Sequence, residues 1–117
     1  MKLVYASRTG NVQKLVDRLG VEAVKIETGN ETVEGDYILI TYTDGKGIIP
    51  ETVETFLASH KGGMKGAAVS GNKERHPDTF CAAADQLVEK YGAKIIATFD
   101  KEGDDETDLA IKNALSA

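Results

Sequence analysis

Apolar residues recur along the chain with two different periods, which predicts alternating strands and helices. The first strand is expected over residues 2–6, where a short apolar run ends at a polar turn. After that turn, four apolar residues keep the spacing of one helix face before Gly20 supplies a C-terminal stop: Val12, Leu15, Val16 and Leu19. The chain is therefore expected to begin as a strand, a turn and a helix.

Two further strands follow with little chain between them. The second is expected over residues 21–27 and the third over residues 36–43, where the continuous run YILITYT is typical of a strand buried on both faces. Only eight residues, 28–35, separate these strands, which is too few for a crossover helix with its loops. One helix of a regularly alternating fold is therefore missing here.

The second half of the chain returns to regular alternation. Three helices are expected, each opened by a residue suited to a helix N-terminus: Pro50 to about His60, Asp78 to Gly92, and Thr107 onward. Strands are expected between them over residues 64–70 and 93–99. This order predicts an α/β fold with a compact, doubly wound, five-stranded parallel sheet that lacks the helix between strands two and three.

The bulk composition narrows the class of protein. A chain of 117 residues is the size of one domain, so residues 1–117 are expected to form a single domain. The formal charge of -5, without a Lys/Arg cluster, argues against nucleic-acid binding. Apolar runs are too short for a membrane span and no signal peptide is evident, which favours a cytoplasmic protein. The single cysteine, Cys81, fits a reducing compartment and is expected to be a small buried core residue.

Three loops have the composition of a binding site. In a doubly wound parallel sheet, ligands bind beyond the carboxyl ends of the strands, where the strand order reverses. The loops at residues 7–11, 41–49 and 70–78 follow the first, third and fourth strands, and all three are rich in Gly, Ser, Thr and Asn. We therefore expect these loops to form the ligand site.

The first of these loops has the chemistry of a phosphate site. The stretch YASRTGNV places small hydroxyl residues and a glycine immediately before a helix, where free backbone N–H groups, O–H donors and the helix dipole converge. The nucleoside-triphosphate motif GxxxxGK[ST] and the dinucleotide motif GxGxxG are both absent. The alternative is an ordinary capped turn between a strand and a helix.

The pattern resembles the phosphate loop of flavodoxins, which runs roughly aromatic-x-[ST]-x-T-G-N. Within that group, the chain is similar to the small NrdI family, flavodoxin-like proteins that work with class Ib ribonucleotide reductase. The similarity rests on SRTGNV at 7–12, on YILITYTDGKG at 37–47 followed by Ile49-Pro50, on SGNKxxxxDxF from Ser70 to Phe80, and on the missing helix. It implies FMN as cofactor, the small radical subunit of the reductase as partner, and electron delivery to oxygen.

The resemblance also assigns roles to residues of this chain. The phosphate would be held by Ser7, Arg8, Thr9, Gly10, Asn11 and Val12. One side of the isoalloxazine would be flanked by Thr41, Tyr42, Thr43, Asp44, Gly45, Lys46 and Gly47, with the glycines free to let a peptide turn toward flavin N5. The other side or the pyrimidine edge would meet Ser70, Gly71, Asn72, His76, Asp78 and Phe80. No catalytic residue is assigned, because the flavin carries the chemistry.

One departure from the family pattern concerns the flavin ring. Relatives have an aromatic residue soon after SGN[KR] that stacks on the ring, whereas this chain has Glu74-Arg75-His76-Pro77 and is one residue longer. His76 or Arg75 could lie over the ring as a substitute, and the alternative is that both are solvated loop residues.

These features bear on four candidate functions. The first is an FMN protein that supplies a reduced-oxygen oxidant or electrons for assembling the dimanganese-tyrosyl radical cofactor of class Ib ribonucleotide reductase, itself reduced by a donor such as a flavodoxin reductase. The second is a short-chain flavodoxin acting as a general electron carrier. A phosphoacceptor signalling domain would need acidic residues after strand one and an aspartate ending strand three, where this chain has Ser7–Asn11 and Thr41-Tyr42-Thr43. A cofactor-free binding module is the fourth.

Overall fold

The computed structural model describes residues 1–116 as alternating strands and helices. The strands are β1 (Lys2–Tyr5), β2 (Ala23–Lys25), β3 (Tyr37–Tyr42), β4 (Met64–Gly71) and β5 (Ile95–Asp100). The helices are α1 (Asn11–Leu19), α2 (Glu51–His60), α3 (Ala82–Tyr91) and α4 (Asp105–Ser116). Two short 3₁₀ turns, Lys61–Gly63 and Pro77–Thr79, lie before β4 and α3. None of the helices within residues 1–116 combines the length and the apolar character needed to cross a membrane.

All five strands run parallel in the order β2-β1-β3-β4-β5. The chain moves from β1 outward to β2 and then crosses back to β3 on the other side of β1. The order therefore reverses between β1 and β3, which is where ligands bind in such sheets. The predicted doubly wound, five-stranded parallel fold is confirmed.

Helices cover both faces of the sheet because the central strands are apolar on both sides. Val4 and Leu39 point into a core with Phe56 of α2 and Leu87 of α3. The alternate residues of β1 and β3 point into a second core with α1 and α4. In β4, Gly66 allows close packing, since a Cβ there would lie 2.7 Å from the Ile96 side chain.

The connection between β2 and β3 contains no helix, as the sequence predicts. Val33 packs on the core, and Gly29 lies so close to α2 that a Cβ would come within 2.6 Å of Thr55 Cβ. The Glu31 carboxylate accepts hydrogen bonds from the backbone N–H groups of residues 27–29. The segment is therefore held by its own side chains and by α2.

Two predicted helix starts are wrong, for local reasons. The third helix begins at Ala82 and not at an N-cap on Asp78, because residues 77–79 form a 3₁₀ turn and Cys81 adopts a left-handed conformation with φ of 55°. The fourth begins at Asp105, two residues before Thr107, because Asp104 and Thr107 hydrogen-bond reciprocally around the first turn.

Cys81 is buried, as the sequence predicts. Its thiol lies within 3.5 Å of the carbonyl oxygens of Val69 and Phe99, and burial raises its pKa to about 11. A thiol with so high a pKa stays protonated near neutral pH and behaves as a core residue.

Candidate functional site

The three predicted loops meet at the carboxyl ends of β1, β3 and β4 around a shallow, open cleft. Fourteen residues line it: Ser7, Arg8, Thr9, Asn11, Val12, Tyr42, Thr43, Asp44, Ser70, Gly71, Asn72, Arg75, His76 and Thr79. Two arginines face one aspartate in this lining, so the cleft favours an anion although the whole chain carries a formal charge of -5.

The loop before α1 presents unused backbone donors to the cleft. Gly10 adopts φ of 95° at the N-cap of α1, and no side chain caps the helix there. The Ser7 hydroxyl accepts a hydrogen bond from the Gln13 N–H at 3.2 Å, while no group within residues 1–116 accepts from the N–H groups of residues 8–12. These free N–H groups, with the hydroxyls of Ser7 and Thr9, form the donor set that a phosphate requires.

Arg8 connects this loop to the one after β3. Its guanidinium lies 5.2 Å from the centroid of the Tyr42 ring, and its Nη1 is 3.6 Å from the Asp44 carboxylate. Burial raises the pKa of the Tyr42 hydroxyl, an effect that the nearby Arg8 partly opposes. The positive charge of Arg8 is therefore held at the wall of the cleft.

The loop after β3 is a tight turn organised by Asp44. The Asp44 carbonyl accepts from the Gly47 N–H at 2.7 Å, and its carboxylate accepts from the Lys46 N–H at 3.1 Å. Gly47 adopts φ of 78°, and a Cβ there would lie 3.0 Å from Thr79 Cγ2. Glycine is required at this position both by the backbone conformation and by the space available.

The loop after β4 is fixed by its neighbours on both sides. The Ser70 carbonyl accepts hydrogen bonds from the N–H and the hydroxyl of Thr43, and the buried Ser70 hydroxyl donates to the carbonyl of Lys101. Gly71 is needed where β4 meets α3, because a Cβ would lie 2.7 Å from the Cys81 nitrogen. The Ser70 side chain is therefore engaged in positioning this loop.

Beyond Gly71, the chain folds back on Asn72. The Asn72 carbonyl accepts from the His76 N–H at 2.8 Å, and its side-chain oxygen accepts from the Arg75 N–H at 3.0 Å. The amide nitrogen of Asn72 makes no hydrogen bond within residues 1–116, and the residue lines the cleft. A donor at that place suits the pyrimidine edge of a flavin.

The structure brings together twelve of the nineteen residues that the resemblance assigns to the cofactor. Seven lie outside the cleft lining: Gly10, Thr41, Gly45, Lys46, Gly47, Asp78 and Phe80. Among these, Thr41 is buried with its hydroxyl bonded to the Tyr42 carbonyl, and Phe80 lies under the Lys73 ammonium, 4.9 Å from it. Asp78 is exposed in the 3₁₀ turn.

Two lining residues are absent from that assignment. The sequence pattern predicts only one role for Arg75, as a substitute for the stacking aromatic residue. It predicts no role for Thr79. Thr79 is the unspecified residue between the Asp and the Phe of SGNKxxxxDxF, so the motif gives no signal for it.

Comparisons with known proteins agree with this geometry. A family model described as "NrdI Flavodoxin like" matches residues 3–113. Protein NrdI of Bacillus licheniformis is 33% identical over 103 residues, covering 88% of this chain and 78% of the relative. The SPbeta prophage-derived protein NrdI of Bacillus subtilis is 36% identical over 105 residues, covering 86% of this chain and 80% of the relative.

Solved structures support the same fold. A flavodoxin of Fusobacterium nucleatum bound to flavin mononucleotide superposes with a TM-score of 0.63 at 18% identity, covering 98% of this chain and 93% of that chain. A short-chain flavodoxin associated with a bacterial microcompartment gives a TM-score of 0.60 at 22% identity, covering 96% and 90%. Since the family model spans nearly the whole chain and both NrdI relatives are at least 33% identical over most of it, the protein belongs to the NrdI flavodoxin-like family.

Proposed function

We propose that this protein binds FMN and uses it to supply a reduced-oxygen oxidant or electrons for assembling the dimanganese-tyrosyl radical cofactor of class Ib ribonucleotide reductase. Membership of the NrdI family links the chain to ribonucleotide reductase. The observation that carries the proposal is the set of unused N–H groups at residues 8–12 beside Arg8, at the switch point of the sheet.

The phosphate of FMN would be bound by the loop before α1. Backbone N–H groups of residues 8–12 and the hydroxyls of Ser7 and Thr9 would donate hydrogen bonds to its oxygens. The dipole of α1 adds a partial positive charge at the same point. Because Tyr42 and Asp44 hold the Arg8 guanidinium at the rim, its charge contributes without blocking the N–H groups.

The isoalloxazine would lie between the loops after β3 and β4. Tyr42, Thr43 and Asp44 would form one side, and Gly71, Asn72 and His76 the other. When bound, the flavin would supply the electron-transfer chemistry. The residues of these two loops would hold and orient its ring.

The edge of the cleft beside the loop after β3 would face the partners. Ile48, in that loop, is 40% exposed and adds apolar surface to this edge. We propose the small radical subunit of the class Ib reductase as the protein that docks over this edge, and a donor such as a flavodoxin reductase as the source of electrons.

A general electron carrier is the second candidate, because a short-chain flavodoxin has the same fold and would use the same loops. The experiment that separates the two mixes photoreduced protein with a manganese-loaded class Ib small subunit and oxygen. We expect a tyrosyl radical detectable by electron paramagnetic resonance, and none from flavin-free protein. Oxidation by air without radical formation, together with rapid electron transfer to an unrelated acceptor, would favour the electron carrier.

A further inference from the structure

The two edges of the sheet differ in how well they are protected against pairing with another strand. β2, at one edge, has only three residues and ends in Lys25. β5, at the other edge, has six residues, and residues 95–99 include neither a charged residue nor a proline. Short length, charged side chains and proline are features that usually keep edge strands unpaired. β5 therefore lacks the protection that β2 has.

The outer side of β5 presents backbone groups that no strand of residues 1–116 pairs with. The Lys101 N–H donates to the Gly71 carbonyl at 2.7 Å, so it points toward β4. The pairing with β4 is regular from Ala97 to Asp100, and successive residues of a strand point their N–H and C=O groups to opposite sides. Counting back from Lys101, the N–H and C=O of Thr98 point away from β4, where the sheet ends.

Apolar side chains lie along the same edge. Residues 95–97 of β5 are apolar and half-buried. On α3, which connects β4 to β5, the side chains of Gln86 and Lys90 hydrogen-bond toward α2. Val88 lies midway between them in sequence and therefore on the opposite side of the helix, toward β5, where it is 48% exposed. A strand added to β5 would cover this apolar surface.

The two ends of β5 carry opposite charges. Lys94, immediately before the strand, is exposed. At the other end, three carboxylates and Lys73 line a groove between β5 and α4, the carboxylates being those of Asp100, Asp104 and Glu106. Neither Lys94 nor any of these three carboxylates forms an ion pair within residues 1–116. The edge is therefore basic at its start and acidic at its end.

We propose that β5 of one copy of this chain pairs antiparallel with β5 of a second copy, which gives a two-fold symmetric dimer. Antiparallel pairing brings Lys94 of each copy beside the acidic end of the other, and the symmetry makes this contact twice. Parallel pairing would instead place the two acidic ends together. The outward N–H and C=O of Thr98 lie near the middle of the paired segment and would bond to the other copy. The interface leaves the cleft uncovered and does not depend on the proposed function.

Sedimentation equilibrium of the full chain tests this interface. Because an interface formed by strand edges is small, we expect wild type to be dimeric at roughly 100 μM and to dissociate on dilution. Thr98→Pro removes an N–H that points away from β4, so it should leave the β4–β5 pairing intact and make the protein monomeric at that concentration. Thr98→Ala keeps the N–H and should remain dimeric. Thermal unfolding of both variants shows whether they fold.

A charge exchange tests the antiparallel arrangement and does not need Thr98→Pro to fold. Lys94→Glu and Glu106→Lys should each weaken dimerisation about tenfold, because like charges then meet at both ends of the interface. An equimolar mixture of the two variants should regain dimers, since both contacts in the mixed dimer again join opposite charges.

Three outcomes would overturn the proposal. Wild type that is monomeric at that concentration would show that β5 does not pair. A folded Thr98→Pro that is still dimeric would place the interface elsewhere on the molecule. A mixture of Lys94→Glu and Glu106→Lys that dimerises no better than either variant alone would exclude the antiparallel arrangement.

Discussion

The Ser70 hydroxyl donates a hydrogen bond to the carbonyl oxygen of Lys101, which joins the loop after β4 to the segment after β5. The Lys101 N–H returns a hydrogen bond to the Gly71 carbonyl at 2.7 Å, and Lys101 itself adopts φ of 54°. Two loops that are 30 residues apart in sequence are thus built as one unit. The wall of the proposed flavin site depends on a segment that does not itself line the cleft.

Replacing Ser70 by Ala should therefore affect both stability and ligand affinity. The lost bond leaves a carbonyl without its partner, and we expect the free energy of unfolding to fall by roughly 1–3 kcal/mol. FMN should bind more weakly because the Asn72 loop is no longer fixed. Urea denaturation and a fluorescence titration measure the two effects. Ser116→Ala, which removes an exposed hydroxyl on α4, should change neither. Unchanged stability in Ser70→Ala would show that this bond contributes nothing.

Thr9→Ala should discriminate between FMN and riboflavin. If the Thr9 hydroxyl donates to the phosphate, its loss costs about 1.5–3 kcal/mol, which is roughly 10- to 100-fold in FMN affinity. Riboflavin lacks the phosphate and should bind equally to variant and wild type. Titration of both ligands checks this, with Thr98→Ala on β5 as the matched control. Equal weakening of both ligands would mean that Thr9 supports the ring and not the phosphate.

The turn before β3 should make stability depend on pH. Partial desolvation raises the pKa of Glu31, but hydrogen bonds from the N–H groups of residues 27–29 and of Glu31 itself outweigh it and lower the pKa to about 2. A lowered pKa in the folded state means that this stabilisation is complete above the usual carboxyl range and is lost as the pH falls toward 2.

Glu31→Gln tests that pH dependence. We expect it to lose about 1 kcal/mol of unfolding free energy at neutral pH, because a charge-assisted acceptor is replaced by a neutral one. The difference from wild type should shrink as the pH falls from about 4.5 toward 2. Denaturant unfolding at several pH values measures it, with the exposed Glu34→Gln on the same loop as control. A difference that is constant with pH would exclude an effect of the carboxylate charge.

Gly47 and Gly62 should respond differently to the same substitution. Gly47→Ala places a methyl group 3.0 Å from Thr79 Cγ2 at φ of 78°, so we expect a loss of roughly 1–3 kcal/mol in unfolding free energy. Gly62 has nothing within 4 Å of its ideal Cβ position, and Gly62→Ala should be neutral or slightly stabilising. Thermal unfolding of the two variants compares them. A neutral Gly47→Ala would show that the loop after β3 relaxes easily.

The sequence by itself determined the order of elements, the missing helix and the donor-rich turn before α1. Each depends on neighbouring residues: the spacing of Val12, Leu15, Val16 and Leu19 sets a helix face, and eight residues between two strands are too few for a crossover helix with its loops. The turn SRTGN carries its donors within one short segment, so its chemistry could be predicted before its neighbours were known.

Only the tertiary structure decided which side chains meet at the cleft. The left-handed Cys81 that delays α3 is held by packing against Gly71, and no local pattern predicts a non-glycine residue there. The hydrogen bond from the Ser70 hydroxyl to the Lys101 carbonyl, and the His76 ring that a Cβ on Gly45 would meet at 3.3 Å, both bring together segments far apart in sequence. Such contacts depend on strand order and on the depth to which neighbouring elements pack, because a local sequence pattern fixes which way a residue faces but not which distant residue lies opposite it.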